Sequence, residues 1–164
     1  MSGPRGLPMR VCGIAAACVL LTATATASRA VELDPGTWKE LEIGTENGKW
    51  VPPGTNVVCL TPEQAAEPVK GLSPERNLER MRGQCKTLDV KQSASGLAMR
   101  VQCGDPDKVL MSFDLDYTFN NARSYTGTVK SAVTVSGKSA TAEKKVEGRW
   151  MSSICTRKRT APGE

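Results

Sequence analysis

The side chains with the most distinctive chemistry are cysteines, and four of the six, Cys59, Cys85, Cys103 and Cys155, lie beyond the first thirty residues. No CxxC pair occurs among them, so their spacing suits neither a zinc ribbon nor a thioredoxin-like redox site. An even number at wide intervals suits two structural disulfides in an oxidising compartment. Carboxylates come next. Asp114 and Asp116 share one face of a strand-like run, with Asp105 and Asp107 in a nearby turn. Calcium requires about six to eight oxygens gathered by a loop, and this arrangement reads instead as a solvated strand face beside an Asp-rich turn. Nothing in the spacing sets two carboxylates across a cleft, as glycoside hydrolysis needs. The chain contains no histidine. That removes Ser-His-Asp and Cys-His arrangements, histidine-containing zinc sites, and the commonest general base near neutral pH. No catalytic, cofactor-binding or metal-ligating residue is nominated, no cofactor is expected, and the expected function is non-enzymatic.

The elements that must position these cysteines begin with an N-terminus built for export. Arg5 and Arg10 precede the apolar run VCGIAAACVLL at residues 11–21, and the small-residue stretch TATATASRA follows. These are the three parts of a secretory signal. Cleavage fits after Ala27 or Ala30, and the second is preferred because Val31 opens the acidic, polar part of the chain. A membrane anchor needs about 18 or more continuous apolar residues, whereas Thr22, Thr24, Thr26 and Ser28 interrupt this run. The expected organisation is a signal peptide over 1–30, a single β-rich domain over 31–155, and a flexible basic tail over 156–164, in a periplasmic or secreted protein with no transmembrane span in the mature chain.

Charge supports no nucleic-acid role. The whole chain has 22 basic and 17 acidic residues, a net +5. Three of the basic residues (Arg5, Arg10, Arg29) and none of the acidic ones precede residue 31, so 19 face 17 in the remainder and its net charge is +2. The high isoelectric point therefore belongs mostly to the signal. The cluster Arg157-Lys158-Arg159 carries three charges, below the four to eight or so of recognisable lipid-binding patches.

Cysteine pairing follows from local pattern. Between Cys85 and Cys103 lie two strand-like runs around a Ser/Gly turn near residue 94, and a hairpin there sets the two cysteines side by side. By elimination Cys59 pairs with Cys155. One detail resists. Opposing Leu88 to Val101 and Val90 to Met99 matches the apolar faces but turns Cys85 away from Cys103, so a bulge is required, expected near residues 83–85.

Residues 97–151 alternate with period two, the signature of half-buried strands. Leu97, Met99, Val101 and Cys103 form one apolar series; Val109, Met111, Phe113, Leu115 and Tyr117 form the next. A three-residue loop at Asp105-Pro106-Asp107 opposes Val101 to Met111. The turn Asn120-Asn121-Ala122 opposes Tyr117 to Tyr125, and a two-residue loop at Ser136-Gly137 opposes Val133 to Ala140 and Gly127 to Val146. The result is an antiparallel meander with one buried and one wet face. Lys144 falls on the apolar side and is expected near an edge, where its stem can snorkel. Upstream, Trp38 lies in a strand running through Ile43, Asn47-Gly48 is a turn signal, and Pro52, Pro53 and Gly54 break regularity. Thr61-Pro62-Glu63-Gln64 is a capping box that starts a short helix. Ser73-Pro74-Glu75 starts a second, with Leu78 and Met81 toward the sheet.

The ordered landmarks now include Pro35-Gly36-Thr37-Trp38, the Cys-Leu-Thr-Pro-Glu segment at 59–63, the hairpin between Cys85 and Cys103, Ser-Tyr-Thr-Gly-Thr-Val at 124–129, and a cysteine, Cys155, ending the last strand. Together they resemble the bacterial exported family catalogued as domain of unknown function 3617, across residues 31–155. The resemblance implies an exported domain of this architecture and brings no activity with it.

The expected fold is mainly β: a curled antiparallel meander, an open barrel-like sheet, with one or two short helices across an opening and two disulfides. Trp38, Met99, Met111, Phe113 and Trp150, with Trp50, are candidates to line an apolar pocket inside such a sheet. The expected role is a ligand- or partner-binding module, for an apolar small ligand or an envelope protein. The alternatives are a structural, stress-related envelope protein and, further off, a histidine-free hydrolase.

Overall fold

The computed structural model describes residues 31–78 and 83–155. The expected signal peptide, the expected basic tail and Met81 lie outside them. The described chain forms β1 (Gly36–Glu46), β2 (Lys49–Leu60), two short helices α1 (Pro62–Ala66) and α2 (Pro68–Gly71), and a 3₁₀ turn at Pro74–Asn77. Then come β3 (Cys85–Gln92), β4 (Gly96–Asp105), β5 (Val109–Asn121), β6 (Ser124–Val135) and β7 (Lys138–Ser152). The strands make one open antiparallel sheet in the order β2-β1-β7-β6-β5-β4-β3. The β3–β7 meander is thus extended by the N-terminal hairpin, which docks β1 on β7.

Turn chemistry sets the hairpins. Asn47-Gly48 and Ser136-Gly137 both adopt positive φ at both positions, as the tight turns that match strand twist demand. Pro52 and Pro53 do not end β2. They sit opposite Ile43, where the β1–β2 register slips by one, and the edge position of β2 tolerates their missing N–H groups. The expected capping box is present: the Thr61 hydroxyl accepts from the Gln64 N–H at 3.2 Å, and the Gln64 side chain accepts from the Thr61 N–H at 3.0 Å. The second expected helix is a 3₁₀ turn, with the Ser73 hydroxyl accepting from the Glu75 N–H and Leu78 packed against the core.

The meander keeps the expected faces but moves in two registers. Val101 opposes Phe113 rather than Met111, and Tyr117 opposes Gly127 rather than Tyr125. The cause lies in the turns. The Asp105 carboxylate accepts from the Asp107 N–H at 3.0 Å, which places Asp105 opposite Val109. The Asn121 side chain accepts from the Arg123 N–H at 2.7 Å and closes a loop opposite Ser124, with a bulge between Phe119 and Asn121. Each change is a two-residue slip, so every side chain stays on its face. The β6–β7 register, with Val133 opposite Ala140 and Gly127 opposite Val146, is as expected.

Cys85 stands opposite Cys103 with Cα atoms 3.9 Å apart, and Cys59 and Cys155 have Cα atoms 5.4 Å apart; both pairs are at disulfide distance. The bulge that permits the first pair falls at Leu88, between Thr87 and Asp89, not at residues 83–85. Val90 therefore keeps Met99 as its partner, while Thr87 replaces Leu88 opposite Val101. In the chain-entropy account a short loop contributes roughly 3 kcal/mol and a loop of about 100 residues up to about 4.7 kcal/mol, not additively.

Curvature follows from the helices. The adjoining α1 and α2 touch β2, at one edge of the sheet, and β4, next to the other edge. The sheet must curl around them. On its concave side Trp38, Tyr125, Leu60, Leu97 and Val101 are completely or almost completely buried.

Candidate functional site

The concave face holds a cavity of about 310 Å³ between the sheet and the segment Leu72 to Leu78. Its two walls differ in chemistry. Phe113, Leu115 and Tyr117, at every second position of β5, give an apolar wall; Glu40, Glu42 and Glu46 of β1 give an acidic one. Val129, Val146, Ala142 and Lys144 of β6 and β7 lie between them.

Two glycines shape the base. Gly148 separates Glu40 from Tyr125, and Gly127 separates Val146 from Tyr117. A Cβ at either glycine would collide with the neighbouring tyrosine ring. The rings lie over these backbones, so Tyr125 reaches toward β1 and packs on Trp38 with ring centroids 5.3 Å apart. Tyr117 meets Tyr125 edge-on at 5.5 Å.

Tyr125 also donates a short hydrogen bond to Glu40 Oε1. The same oxygen accepts from Arg76 Nη2 at 2.5 Å, and Arg76 Nη1 donates to the Gly71 carbonyl at 2.6 Å. Glu40 is only 5% exposed. A carboxylate so buried is tolerable only with a paired cation and hydrogen bonds on its oxygens, and both are supplied. Burial is the largest influence on Arg76 and opposes its charge, yet the Glu40 charge, the hydrogen bond to Glu40 and the two neighbouring tyrosines together outweigh it and raise the guanidinium pKa. Burial raises the Tyr125 phenol strongly; the Glu40 charge adds to this and Arg76 offsets part of it. Tyr117 is raised as well, by burial first. Both phenols are protonated at neutral pH. A second ion pair, Lys144 Nζ to Glu42 Oε2 at 3.0 Å, is half-buried. Lys144 is therefore not at an edge as expected: β7 is internal, and Glu42 rather than solvent balances its charge.

Of the residues expected to line an apolar pocket, Phe113 lines this cavity. Trp38 is fully buried, its indole N–H donating to the Asp34 carbonyl at 2.9 Å, and Met99 is in the packed core. Met111 is half-buried against that core. Trp150 sits at the end of β7, donating to the Pro35 carbonyl at 3.0 Å beneath the Arg123 guanidinium. Trp50 is 66% exposed on β2. Asp114 is ion-paired with Arg100, and Asp105 with Lys108. Among the described residues no group of three or more His, Cys, Asp or Glu is arranged to hold a metal, and no helix is long and apolar enough to cross a membrane.

The sequence reading missed Glu40, Glu42 and Arg76. Its signal for them was weak, because Leu41 and Ile43 are the apolar residues of that stretch and Ile43 proves exposed. Only the parity with Trp38, two residues before Glu40, points the glutamates inward.

Fold and site together define an open, curled antiparallel sheet, two cysteine pairs at disulfide distance, and a charged-and-apolar cavity under a helical cover. The chain belongs to the family described as a protein of unknown function, DUF3617, which matches residues 25–155. Neither the curated proteins nor the solved structures contain a match to it.

Proposed function

We propose that this is an exported, non-enzymatic domain that binds a small amphipathic molecule in the concave cavity. The observation that carries the reading is the cavity itself: about 310 Å³, at the lower end of the roughly 300–1,000 Å³ usual for ligand sites. It joins an apolar wall to a few polar groups held in place by their own partners. The two disulfides suit an oxidising compartment, and the proposed signal peptide at 1–30 directs the chain there. Cleavage after Ala30 leaves the domain at 31–155 followed by the tail at 156–164.

Native mass spectrometry of protein recovered from the envelope fraction tests this. The expected result is a small-molecule adduct that disappears in Ala142→Phe, whose ring would occupy the cavity. Bare protein, together with no binding of a neutral apolar dye, would sink the reading.

A further inference from the structure

We infer that the cavity selects a ligand with a cationic end, an amine-type head on a short apolar body; this rests on the ligand-binding reading above.

Three carboxylates and two cations line the space: Glu40, Glu42 and Glu46 against Arg76 and Lys144. The cations are committed. Arg76 gives one nitrogen to Glu40 and another to the Gly71 carbonyl, and Lys144 holds Glu42. Spare N–H donors remain on both, but each positive charge is already balanced by its carboxylate, so an anionic head would enter a space where carboxylates outnumber cations three to two and would compete with Glu40 and Glu42 for the same charges. A cationic head disturbs neither. Glu46, at the outer end of the acidic wall, makes no ion pair with any described residue.

Tyr117 supplies the independent observation. The residue is only 6% exposed, yet its hydroxyl hydrogen-bonds to none of the described residues. Tyr117 lines the cavity, and among the described residues no fully buried polar side-chain atom lacks a partner. Tyr117 shares a row across the sheet with Glu42, separated only by Gly127 and Val146. A hydroxyl acceptor facing a carboxylate wall, with aromatic rings beside it, suits a donor-only cationic group. Phe113, Leu115 and Val129 suit the apolar body.

The test is displacement of the neutral dye N-phenyl-1-naphthylamine at neutral pH by n-octylamine, n-octanol and octanoate, which share one chain and differ in head. Octylamine should displace the dye at about tenfold lower concentration than octanoate, as expected for one hydrogen bond to a charged group. Octanol should fall between them. Glu46→Gln and Tyr117→Phe should each weaken octylamine more than octanol and so narrow the gap between amine and alcohol. A lead for octanoate or octanol, or dye binding that octylamine cannot displace, overturns the cationic head and leaves the cavity reading standing. Absence of dye binding, or binding unchanged in Ala142→Phe, overturns the cavity reading itself.

Discussion

The two faces of the sheet carry ion pairs of the same chemical kind in different surroundings. On the convex face Lys130 and Glu143 approach to 3.6 Å with 61% and 59% of their side chains exposed. On the concave face Arg76 and Glu40 are 2.5 Å apart at 12% and 6%, with Lys144 and Glu42 between these extremes at 32% and 23%. Water decides what each pair is worth. An exposed pair contributes about 0–1 kcal/mol because solvent serves either charge alone. A buried pair gains little over an apolar replacement, yet losing one partner costs about 3–5 kcal/mol, since the survivor is left charged and dry. The concave pair is therefore an obligation more than a source of stability. The buried acid on β1 is tolerable because the 3₁₀ turn delivers Arg76, and that contact holds the turn over the cavity.

Removing one side of this obligation should give the largest effect. Arg76→Met strands Glu40 and should lower the unfolding free energy by about 3–5 kcal/mol at neutral pH, measured by urea denaturation. Adding Glu40→Gln should recover part of the loss, because the stranded charge is gone, giving a large coupling energy in the double-mutant cycle. A single-variant loss below about 1 kcal/mol, the exposed-pair range, would erase the distinction between the faces.

The second effect depends on pH. Tyr125 and Tyr117 have pKa values raised above the ordinary 10.0, chiefly by burial. A raised phenol pKa means that the folded state holds its proton after the unfolded chain has released it. The associated stability is complete below about pH 10, the unfolded value, and is lost as pH rises above it. Urea midpoints from pH 8 to pH 11 should fall at the alkaline end. Tyr125→Phe should cost about 1–3 kcal/mol at pH 8 through the lost hydrogen bond to Glu40, and should then show a shallower alkaline decline. Equal slopes in the wild type and in both single Tyr→Phe variants would exclude the phenols as the cause.

The same contrast explains what could be foreseen. Strands β4 to β7 were legible because their concave positions are mostly apolar at every second residue, and Ser136-Gly137 fixes one register outright. The two-residue slips were hidden because a slip of two leaves the faces unchanged; only the side-chain hydrogen bonds of Asp105 and Asn121 distinguish the alternatives. A bulge was demanded by Cys85 and Cys103, though its place at Leu88 was not. β1 concealed the site. Its inward residues after Trp38 are Glu40 and Glu42, so hydrophobic alternation points to the wrong face, and the cation that licenses Glu40 lies 36 residues away. Lys144 was visible as an exception to the pattern, but its partner, 102 residues away, appears only when β1 docks on β7.

The smallest effect belongs to the convex face and calibrates the rest. A double-mutant cycle on Lys130→Gln and Glu143→Gln should give a coupling of no more than about 1 kcal/mol. Raising ionic strength from about 0.1 M to 1 M shortens the screening length from about 10 Å to 3 Å, which should remove most of that coupling. The matching cycle on Lys144→Gln and Glu42→Gln should give a larger coupling that survives the added salt, because those side chains are about half as exposed or less and share their space with apolar walls. Equal couplings, or equal salt sensitivity, would mean that water reaches Lys144 and Glu42 as freely as the outer surface. The concave face would then lack the low-polarity setting on which selection between a cationic and an anionic head depends.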